Sequence, residues 1–389
     1  MPKSIMQRSF SQAMGKTMLK ATQLTGIGKL LDATRLIQRA LLGAAQQARP
    51  EAKPEARREP TPDANAAQVA DAPPQVIILP PPGQPAGDQA APLPGRKASR
   101  AAAFTKHQFV FEGDTYPYRL YIPSAPAADV GEAKPMPLIV LLHGCKQDAL
   151  DFSHGTAMNT LAEAHQVMVL YPEQITSANA MRCWNWFEPG HQQAERGEPG
   201  MIAALTQKIV QKHDGDSQRV YIAGLSAGGA MAAVMAGLHP DIYAAVGVHS
   251  GLAAGAAQDV MSAFAAMQSG AKGNASPVMP TIVFHGTADK TVHPDNAEYI
   301  TDAALAALKA SGLKLVKTTS TDSKSGAEKT QRVIYSTADG KPYIENWRID
   351  DGPHAWSGGD AAGSYTDPDG PSASAAMLAF FLQHRLQPT

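Results

Sequence analysis

The stretch that decides the fold is VYIAGLSAGGAMAAVMAGL, residues 220–238. Residues 220–223 form a short apolar run typical of a buried strand, and the Ala-rich residues 229–238 predict a helix. Between them, GLSAG at 224–228 matches the G-x-S-x-G pattern of a nucleophile elbow, a sharp strand-to-helix turn that presents a serine. Larger side chains at the two glycines would collide with neighbouring backbone. Ser226 is therefore the candidate nucleophile, although the pattern alone also fits an ordinary serine in a turn of small residues.

Strands and helices alternate on both sides of this stretch. The sequence predicts paired strands at 107–112 and 116–122, then strands at 138–142, 167–171, 220–223, 244–248, 281–284 and 343–349. Helices are expected at 159–165, 201–213, 229–238, 295–309 and 372–383. This alternation predicts an α/β fold with an open, mostly parallel, doubly wound sheet that helices cover on both faces.

A serine hydroxyl needs a base to take its proton and a carboxylate to orient that base. In the fold that uses this elbow, the acid and then the histidine follow the serine along the chain. Asp289 comes just after the predicted buried strand 281–284, at the carboxyl end where α/β sites assemble. Its rivals are Asp241, interpreted as a helix-to-strand turn residue, and Asp295, interpreted as a helix N-cap. Asp289 is therefore the candidate acid.

His354 is the candidate base among the histidines that follow the serine. It lies in the loop DGPHAW at 351–356, directly after the predicted strand 343–349, where a Gly-Pro turn can present it. The other histidines after the serine are His239, His249, His285, His293 and His384. His239 and His384 are interpreted as capping or solvated residues at helix ends, and His249 and His285 as hydrogen-bonded structural groups after buried strands.

Two backbone N–H groups are needed to hold the negative oxygen that develops on an attacked carbonyl. One is expected from Ala227, and the other from Cys145 in the loop after the predicted strand 138–142. Cys145 and Cys183 are the only two cysteines. A bridge between them would close a loop of about 38 residues, whereas in a reducing compartment both would stay free thiols. The residues alone leave these two alternatives open.

The composition excludes several classes of protein. The chain has 389 residues, 44% of them hydrophobic, which suffices for one large core and a smaller part. With 34 Lys and Arg against 35 Asp and Glu, the net charge of −1 argues against nucleic-acid binding through bulk positive charge. No Cys/His cluster has zinc spacing, and no stretch approaches the apolar length of a membrane span. No metal, cofactor, nucleic-acid partner or membrane span is expected.

Three segments of unlike composition divide the chain. Residues 1–49 are basic, with apolar residues at helical spacing, and predict an amphipathic helical leader. Residues 50–103 predict a Pro/Ala-rich disordered linker, since 12 of the 30 prolines fall within 50–100. Residues 104–389 are expected to form the catalytic domain. Lysines interrupt every apolar run of the leader, so no secretory signal is expected.

Five short blocks of sequence occur in the order that is typical of one known family. They are LHGC at 142–145 followed by Gln147, YPEQ at 171–174, CWNWF at 183–187, GLSAGG at 224–229 and HAWSGG at 354–359. Together they resemble the polyhydroxybutyrate depolymerase family of esterases, which is related to feruloyl and acetylxylan esterases. The resemblance covers about residues 105–386, and the CWNWF block makes it more specific than the elbow alone.

The resemblance implies an α/β-hydrolase fold and hydrolysis of carboxylic esters. By position it assigns the nucleophile to Ser226, the acid to Asp289, the base to His354 and an oxyanion amide to Cys145. It also implies a bridge to Cys183, because family members often pair the two matching cysteines.

Three of the four tryptophans lie in the motif loops. Ligand pockets are mostly apolar, so aromatic walls suit an acyl or polyester chain. Substrate contact is therefore expected from Trp184, Trp186 and Trp356, with packing of the loops as the alternative.

The expected function is hydrolysis of polyhydroxyalkanoate or oligomeric hydroxyacyl esters through an acyl-enzyme. The alternatives are a feruloyl- or acetylxylan-type esterase, an acyltransferase on the same scaffold, and a protein that binds the surface of a polyester granule. Without a recognised secretory signal, a cytoplasmic or granule-associated location is favoured, and an extracellular one is the alternative. Contact with a granule or membrane surface is expected through residues 16–42.

Overall fold

A computed structural model describes residues 96–97, 100–125, 128–129, 134–274, 276–322 and 330–386. The predicted leader at 1–49, its surface-contact segment at 16–42 and nearly all of the predicted linker lie outside these residues. Within the described part of the chain, no helix is long and apolar enough to cross a membrane.

The described residues form fourteen strands and seven α-helices. The strands are β1 (Arg96–Lys97), β2 (Ala103–Phe111), β3 (Asp114–Ile122), β4 (Ala128–Asp129), β5 (Leu138–Leu142), β6 (Met168–Pro172), β7 (Val220–Leu225), β8 (Ala245–His249), β9 (Thr281–Gly286), β10 (Val316–Asp322), β11 (Thr330–Ser336), β12 (Pro342–Ile349), β13 (Trp356–Ser357) and β14 (Thr366–Asp367). The helices are α1 (Ala149–Thr156), α2 (Met158–His165), α3 (Gly197–Lys212), α4 (Ala227–Leu238), α5 (Val260–Ser269), α6 (Asp295–Ala310) and α7 (Ala373–Phe381).

Ten strands form one sheet in the order β10-β11-β12-β9-β8-β7-β5-β6-β3-β2. The six central strands, from β12 to β6, are parallel, and antiparallel pairs extend the sheet at both edges. The strands β5 to β9 are buried along their whole length, which is why the sequence shows them as continuous apolar runs. The predicted open sheet with a parallel centre is confirmed.

Helices cover both faces of this sheet. On β5, Leu138, Val140 and Leu142 belong to a core cluster that includes residues of α3 and α4. Ile139 and Leu141 belong to a second cluster with residues of α1, α2 and α7. Since successive side chains of a strand point to opposite faces, the two clusters are the two sides of a doubly wound sheet.

The sequence does not predict the helices α1 and α5, the edge strands β10 and β11, or the two-residue strands β1, β4, β13 and β14. The strands β10 and β11 pair antiparallel at one edge of the sheet. All side chains over residues 316–321 are exposed, and most of them are polar or charged, so no apolar pattern marks this strand.

Candidate active site

Ser226 lies between β7 and α4 with φ 58° and ψ −120°. Positive φ is uncommon for a residue with a side chain, and it marks the sharp turn of an elbow. A Cβ on Gly228 would lie 2.1 Å from the carbonyl oxygen of Leu142, and one on Gly224 would lie 2.4 Å from the backbone of Gly228. Ser226 N donates to the carbonyl oxygen of His249 at 2.9 Å. The expected collision at both glycine positions is confirmed.

The candidate acid and base come together at the carboxyl ends of β9 and β12. His354 Nδ1 donates a hydrogen bond to Asp289 Oδ2 at 2.7 Å. The backbone N–H groups of Thr291 and Val292 both donate to Asp289 Oδ1 at 2.8 Å. Because the carboxylate can only accept, the imidazole carries a proton on Nδ1, and Nε2 is the nitrogen that can take a second one.

The charge of Asp289 is stabilised by its partners. Burial alone would raise its pKa, but hydrogen bonds from His285 and His354, the positive charge of protonated His354 and the N–H of Val292 outweigh burial. The pKa of Asp289 is therefore held well below its usual value. No group of three or more His, Cys, Asp or Glu side chains in the described part of the chain is arranged to hold a metal ion.

His249 links the serine turn to the loop of the candidate base. Its carbonyl oxygen accepts from Ser226 N, and its Nε2 accepts from Ser357 N at 3.0 Å, three residues after His354. The ring stacks on Trp356 with centroids 5.1 Å apart. Burial is the main cause that lowers the pKa of His249 to about 3, so the ring is neutral and structural.

The structure brings Asp289 and His354 into contact. The hydrogen bonds of the described residues do not include one between the Ser226 hydroxyl and His354. In enzymes without bound substrate this hydrogen bond is often long or poorly aligned and shortens only when the substrate binds. The assembly of all three groups into a triad is accordingly a prediction.

The two expected oxyanion donors lie next to the serine. A Cβ on Gly144 would be 3.6 Å from Ser226 Cβ, and Cys145 is the next residue. Ala227 is the first residue of α4, where an N–H has no acceptor within the helix. Among the described backbone hydrogen bonds, neither the N–H of Cys145 nor that of Ala227 is a donor. Both N–H groups are available to a bound oxyanion, which stays a prediction.

Buried side chains hold this oxyanion loop in place. Trp184 Nε1 donates to the carbonyl oxygen of His143 at 3.1 Å, and Gln147 Oε1 accepts from Gly144 N at 2.9 Å. His143 Nε2 accepts from Gln174 N at 3.1 Å, so Nδ1 carries the proton and donates to the carbonyl oxygen of Gly144 at 2.8 Å. Burial lowers the pKa of His143 to about 4, which keeps the ring neutral.

A disulfide bond joins Cys145 to Cys183, 38 residues further along the chain. It confirms the pairing that the resemblance implies and decides against two free thiols. Lys146 N, one residue after Cys145, donates at 2.7 Å to the carbonyl oxygen of Met181, two residues before Cys183. The CWNWF block is thus tied to the oxyanion loop.

A buried carboxyl group in the same network is not predicted from the sequence. Glu198, in the first turn of α3, is fully buried and accepts from Asn185 N and Nδ2 at 2.7 Å each and from Gln174 Nε2 at 2.5 Å. Burial raises its pKa to about 7, although these hydrogen bonds oppose the shift. The asparagine between the two tryptophans of CWNWF is the signal that could have indicated it, because a buried amide needs a polar partner.

The three motif tryptophans are buried, with exposed fractions of 0, 3 and 1% for Trp184, Trp186 and Trp356. Trp356 Nε1 donates to Ser374 Oγ at 3.0 Å, much as Trp184 donates to His143. In this structure Trp184 and Trp356 are packing residues, which is the alternative that the sequence analysis keeps. Substrate contact by these rings stays a prediction.

Comparison with known proteins gives a family and two well-matched relatives. The chain matches the family described as esterase PHB depolymerase over residues 116–322, more than half of its length. It is 35% identical over 175 residues to poly(3-hydroxyalkanoate) depolymerase C of Paucimonas lemoignei, a match that covers 41% of this chain and 42% of that protein. It is 32% identical over 185 residues to feruloyl esterase B of Thermothelomyces thermophilus, covering 42% of this chain and 62% of that protein. The match thus spans between 42 and 62% of the length of these relatives.

The fold is similar to that of a solved structure, an acetyl xylan esterase from Aspergillus awamori. The TM-score is 0.51 at 19% sequence identity, and the match covers 72% of this chain and 99% of the other. At this identity the likeness concerns the fold alone, and it agrees with the α/β-hydrolase fold that the sheet order and the elbow indicate.

Proposed function

The chain belongs to the esterase PHB depolymerase family, and from that premise we propose that it is a serine esterase that cleaves carboxylic esters through an acyl-enzyme. The proposal is carried by the 2.7 Å hydrogen bond between Asp289 and His354 together with the elbow that holds Ser226 at positive φ. In this reading Ser226 is the nucleophile, His354 the general base and Asp289 the group that orients the base.

In the first step, Ser226 Oγ attacks the ester carbonyl carbon while His354 Nε2 takes the hydroxyl proton. Asp289 keeps the imidazole oriented through Nδ1 and stabilises the imidazolium that forms. The C–O bond of the ester then breaks, and His354 returns its proton to the leaving alcohol. The acyl group stays on Ser226.

The negative oxygen of the tetrahedral intermediate is assigned to the N–H groups of Cys145 and Ala227. Removing one such donor typically lowers kcat by about 10²–10³-fold. The rate therefore depends on a backbone that holds the N–H of Cys145 in the right position. The disulfide bond and the buried contacts of His143, Gly144 and Trp184 support this role because they fix the backbone around Cys145.

In the second step, water takes the place of the alcohol. His354 Nε2 removes a proton from the water, its oxygen attacks the acyl carbon, and the same two N–H groups hold the second oxyanion. Collapse of this intermediate returns the proton to Ser226 Oγ and releases a carboxylic acid.

The proposed substrates are polyhydroxyalkanoate or oligomeric hydroxyacyl esters. This choice rests on the 35% identity to a poly(3-hydroxyalkanoate) depolymerase. The runner-up, a feruloyl- or acetylxylan-type esterase, is supported by the 32% identity to feruloyl esterase B.

The test is a panel of esters with wild type and Ser226→Ala: p-nitrophenyl butyrate, 3-hydroxybutyrate trimer, methyl ferulate and acetylated xylan. We expect the trimer to have the highest kcat/KM and Ser226→Ala to lose at least about 10³-fold activity on every ester. The matched control is Ser217→Ala, an exposed serine before β7, with unchanged activity. Preference for the ferulate or xylan ester selects the runner-up, and an active Ser226→Ala overturns the serine mechanism.

We also propose that the chain divides into a basic leader (1–49), a linker (50–103) and a catalytic domain (104–389), with the leader contacting a granule or membrane surface through 16–42. Sedimentation with polyester granules or anionic vesicles tests this. The full chain is expected to sediment and a chain starting at residue 100 is expected to stay in solution, and equal sedimentation of both would contradict it.

A further inference from the structure

A second histidine, His285, lies close to the same oxygen of Asp289 that accepts from the proposed base His354. His285 Nε2 lies 3.3 Å from Asp289 Oδ2, which also accepts from His354 Nδ1 at 2.7 Å. The same His285 nitrogen lies 2.9 Å from the carbonyl oxygen of Val292. The side chain of His285 is buried and belongs to β9, so the sheet holds its backbone. The mechanism above gives this histidine no role.

The partners of His285 determine which ring nitrogen carries a proton. Both the carbonyl oxygen of Val292 and the carboxylate of Asp289 can only accept hydrogen bonds, so Nε2 must donate. In the neutral ring Nδ1 is then an acceptor. This Nδ1 is buried, and it has no hydrogen-bond partner among the described residues.

A second buried acceptor of this kind lies on the neighbouring strand. Asn346 Nδ2 donates to Glu298 Oε1 at 3.2 Å, which sets the orientation of the amide because a carboxylate only accepts. Asn346 Oδ1 is also buried and has no partner among the described residues. Arg348 of β12 is paired with His285 of β9. Asn346 is two residues before Arg348 on β12, so both side chains lie on the same face of the sheet. His285, Asn346, Glu298 and Arg348 line one small cavity.

Two buried acceptors that line one cavity can both be satisfied by a single water molecule, because water has two O–H donors. We propose that a buried water bridges His285 Nδ1 and Asn346 Oδ1, and that His285, held in this way, is a positioning residue that donates through Nε2 to Asp289. This inference rests on the proposed triad. Its consequence is electrostatic: Asp289 shares its charge between two donors, which weakens its stabilisation of protonated His354.

Charged and titratable groups face the His285 ring both from the candidate active site and from the cavity. On the side of the active site and on the side of the cavity they are Asp289, His249, His354, Asp295, Glu298 and Arg348. A substitution at His285 leaves all of them in the chain, so a change in the pH dependence reports the lost donor.

The experiment compares the pH dependence of kcat/KM for p-nitrophenyl butyrate in wild type, His285→Phe and His285→Gln. Phe removes both ring nitrogens, whereas Gln offers an amide N–H in place of Nε2–H. The acid limb is the pH range in which kcat/KM falls as the pH is lowered. We expect the midpoint of this limb in His285→Phe to lie roughly half to one pH unit higher than in wild type, because Asp289 without its second donor stabilises protonated His354 more strongly. The limb of His285→Gln is expected closer to that of wild type. An unmoved limb, or one moved down, in His285→Phe overturns the positioning role.

His384→Phe is the matched control, because His384 is also buried with an unpartnered Nε2 but follows α7, away from the proposed acid. It is expected to change stability without moving the limb. Ser226→Ala in the same assay separates the two proposals. An active serine variant overturns the proposed function, whereas an inactive one together with an unmoved limb in His285→Phe overturns only the role of His285.

The proton position is measured without activity, by two-bond ¹H–¹⁵N NMR of the histidine rings of the full chain at pH 7.5. His285→Gln identifies the signal. A neutral ring protonated at Nε2 is expected, and a ring protonated at Nδ1 overturns the inference. A high-resolution crystal structure is expected to show one water within about 3.2 Å of both His285 Nδ1 and Asn346 Oδ1, and a water-free cavity overturns the bridge.

Discussion

Two buried carboxyl groups lie in the candidate site, Asp289 beside the proposed base His354 and Glu198 in the network of the proposed oxyanion loop. Asp289 accepts hydrogen bonds from His354 and two backbone N–H groups and has His285 Nε2 3.3 Å away, and its pKa lies below the usual value. Glu198 is bonded by the neutral amides of Asn185 and Gln174, and burial raises its pKa to about 7. At Glu198 the effect of burial outweighs the hydrogen bonds, whereas at Asp289 the hydrogen bonds from His285 and His354 and the positive charge of protonated His354 outweigh burial.

The two regions should respond to pH in opposite directions. Asp289 has a lowered pKa when folded, so its contribution to stability is present above the unfolded value of about 3.9 and is lost as the pH falls through the folded pKa. Glu198 has a raised pKa, so the folded state binds its proton more tightly than the unfolded state does. Its contribution falls as the pH rises from 4.5 to about 7.

The largest effect is expected when the charge behind the base is removed. Asp289→Asn keeps the shape of the side chain but no longer stabilises the imidazolium and favours the wrong ring tautomer, so kcat should fall by roughly 10³–10⁴-fold. Steady-state kinetics on p-nitrophenyl butyrate measures this. Asp241→Asn, at the rival acid, is the exposed control and should keep full activity. A fall of less than tenfold in Asp289→Asn would mean that another group orients the base.

The second-largest effect is expected from the disulfide bond that ties the CWNWF block to the proposed oxyanion loop. Replacing Cys145 and Cys183 by serine opens a loop of 38 residues, which is expected to lower the free energy of unfolding by about 4 kcal/mol. Urea unfolding measures this. Dithiothreitol should lower the stability of wild type toward that of the double variant and leave the double variant unchanged. Equal unfolding midpoints would show that the buried network alone holds the oxyanion loop.

The two regions also differ in how far the sequence predicts them. Ser226, Asp289 and His354 each follow a strand at a point that local patterns mark, so the sequence already proposes all three as candidates. The roles of Glu198 and His285 depend on contacts between segments that are far apart in the sequence, such as those from Gln174 to Glu198 and from Asn346 to Glu298. The edge strand β10 is missed for a related reason, since its exposed polar side chains leave no apolar period to recognise.

A smaller effect tests the pH response of the oxyanion region. Glu198→Gln removes the ionisation that burial opposes, so its stability relative to wild type should rise as the pH goes from 5 to 8, by roughly 1–3 kcal/mol. Any misfit of the Gln side chain with its donors is the same at each pH and cancels from this trend. Urea unfolding at pH 5, 6.5 and 8 measures it. A difference that is constant with pH would show that Glu198 keeps an ordinary pKa in the folded chain.

The smallest effect concerns Gln147, which joins the oxyanion loop to two later segments. Its Oε1 accepts from Gly144 N at 2.9 Å, and its Nε2 donates to Asp151 Oδ2 and to the carbonyl oxygen of Ser364, also at 2.9 Å. Gln147→Leu removes the acceptor of Gly144 N and the donor to the carbonyl oxygen of Ser364, whereas Asp151 Oδ2 still accepts from Ser364 Oγ at 2.6 Å, and it loosens the loop before Cys145. Because oxyanion stabilisation acts mainly in the transition state, kcat should fall about tenfold while KM changes little. Gln207→Leu, on the exposed face of α3, is the control.

A double variant separates the role of Gln147 in positioning from simple loss of packing. Gln147→Glu keeps an acceptor for Gly144 N but sets a negative charge against the carboxylate of Asp151, so kcat should fall here as well. Adding Asp151→Asn replaces that repulsion with an amide that can donate to the new carboxylate, and most of the lost kcat should return. If the double variant recovers nothing, the contact with Asp151 does not position the oxyanion loop, and the disulfide bond and the contacts of Trp184 and His143 do so without it.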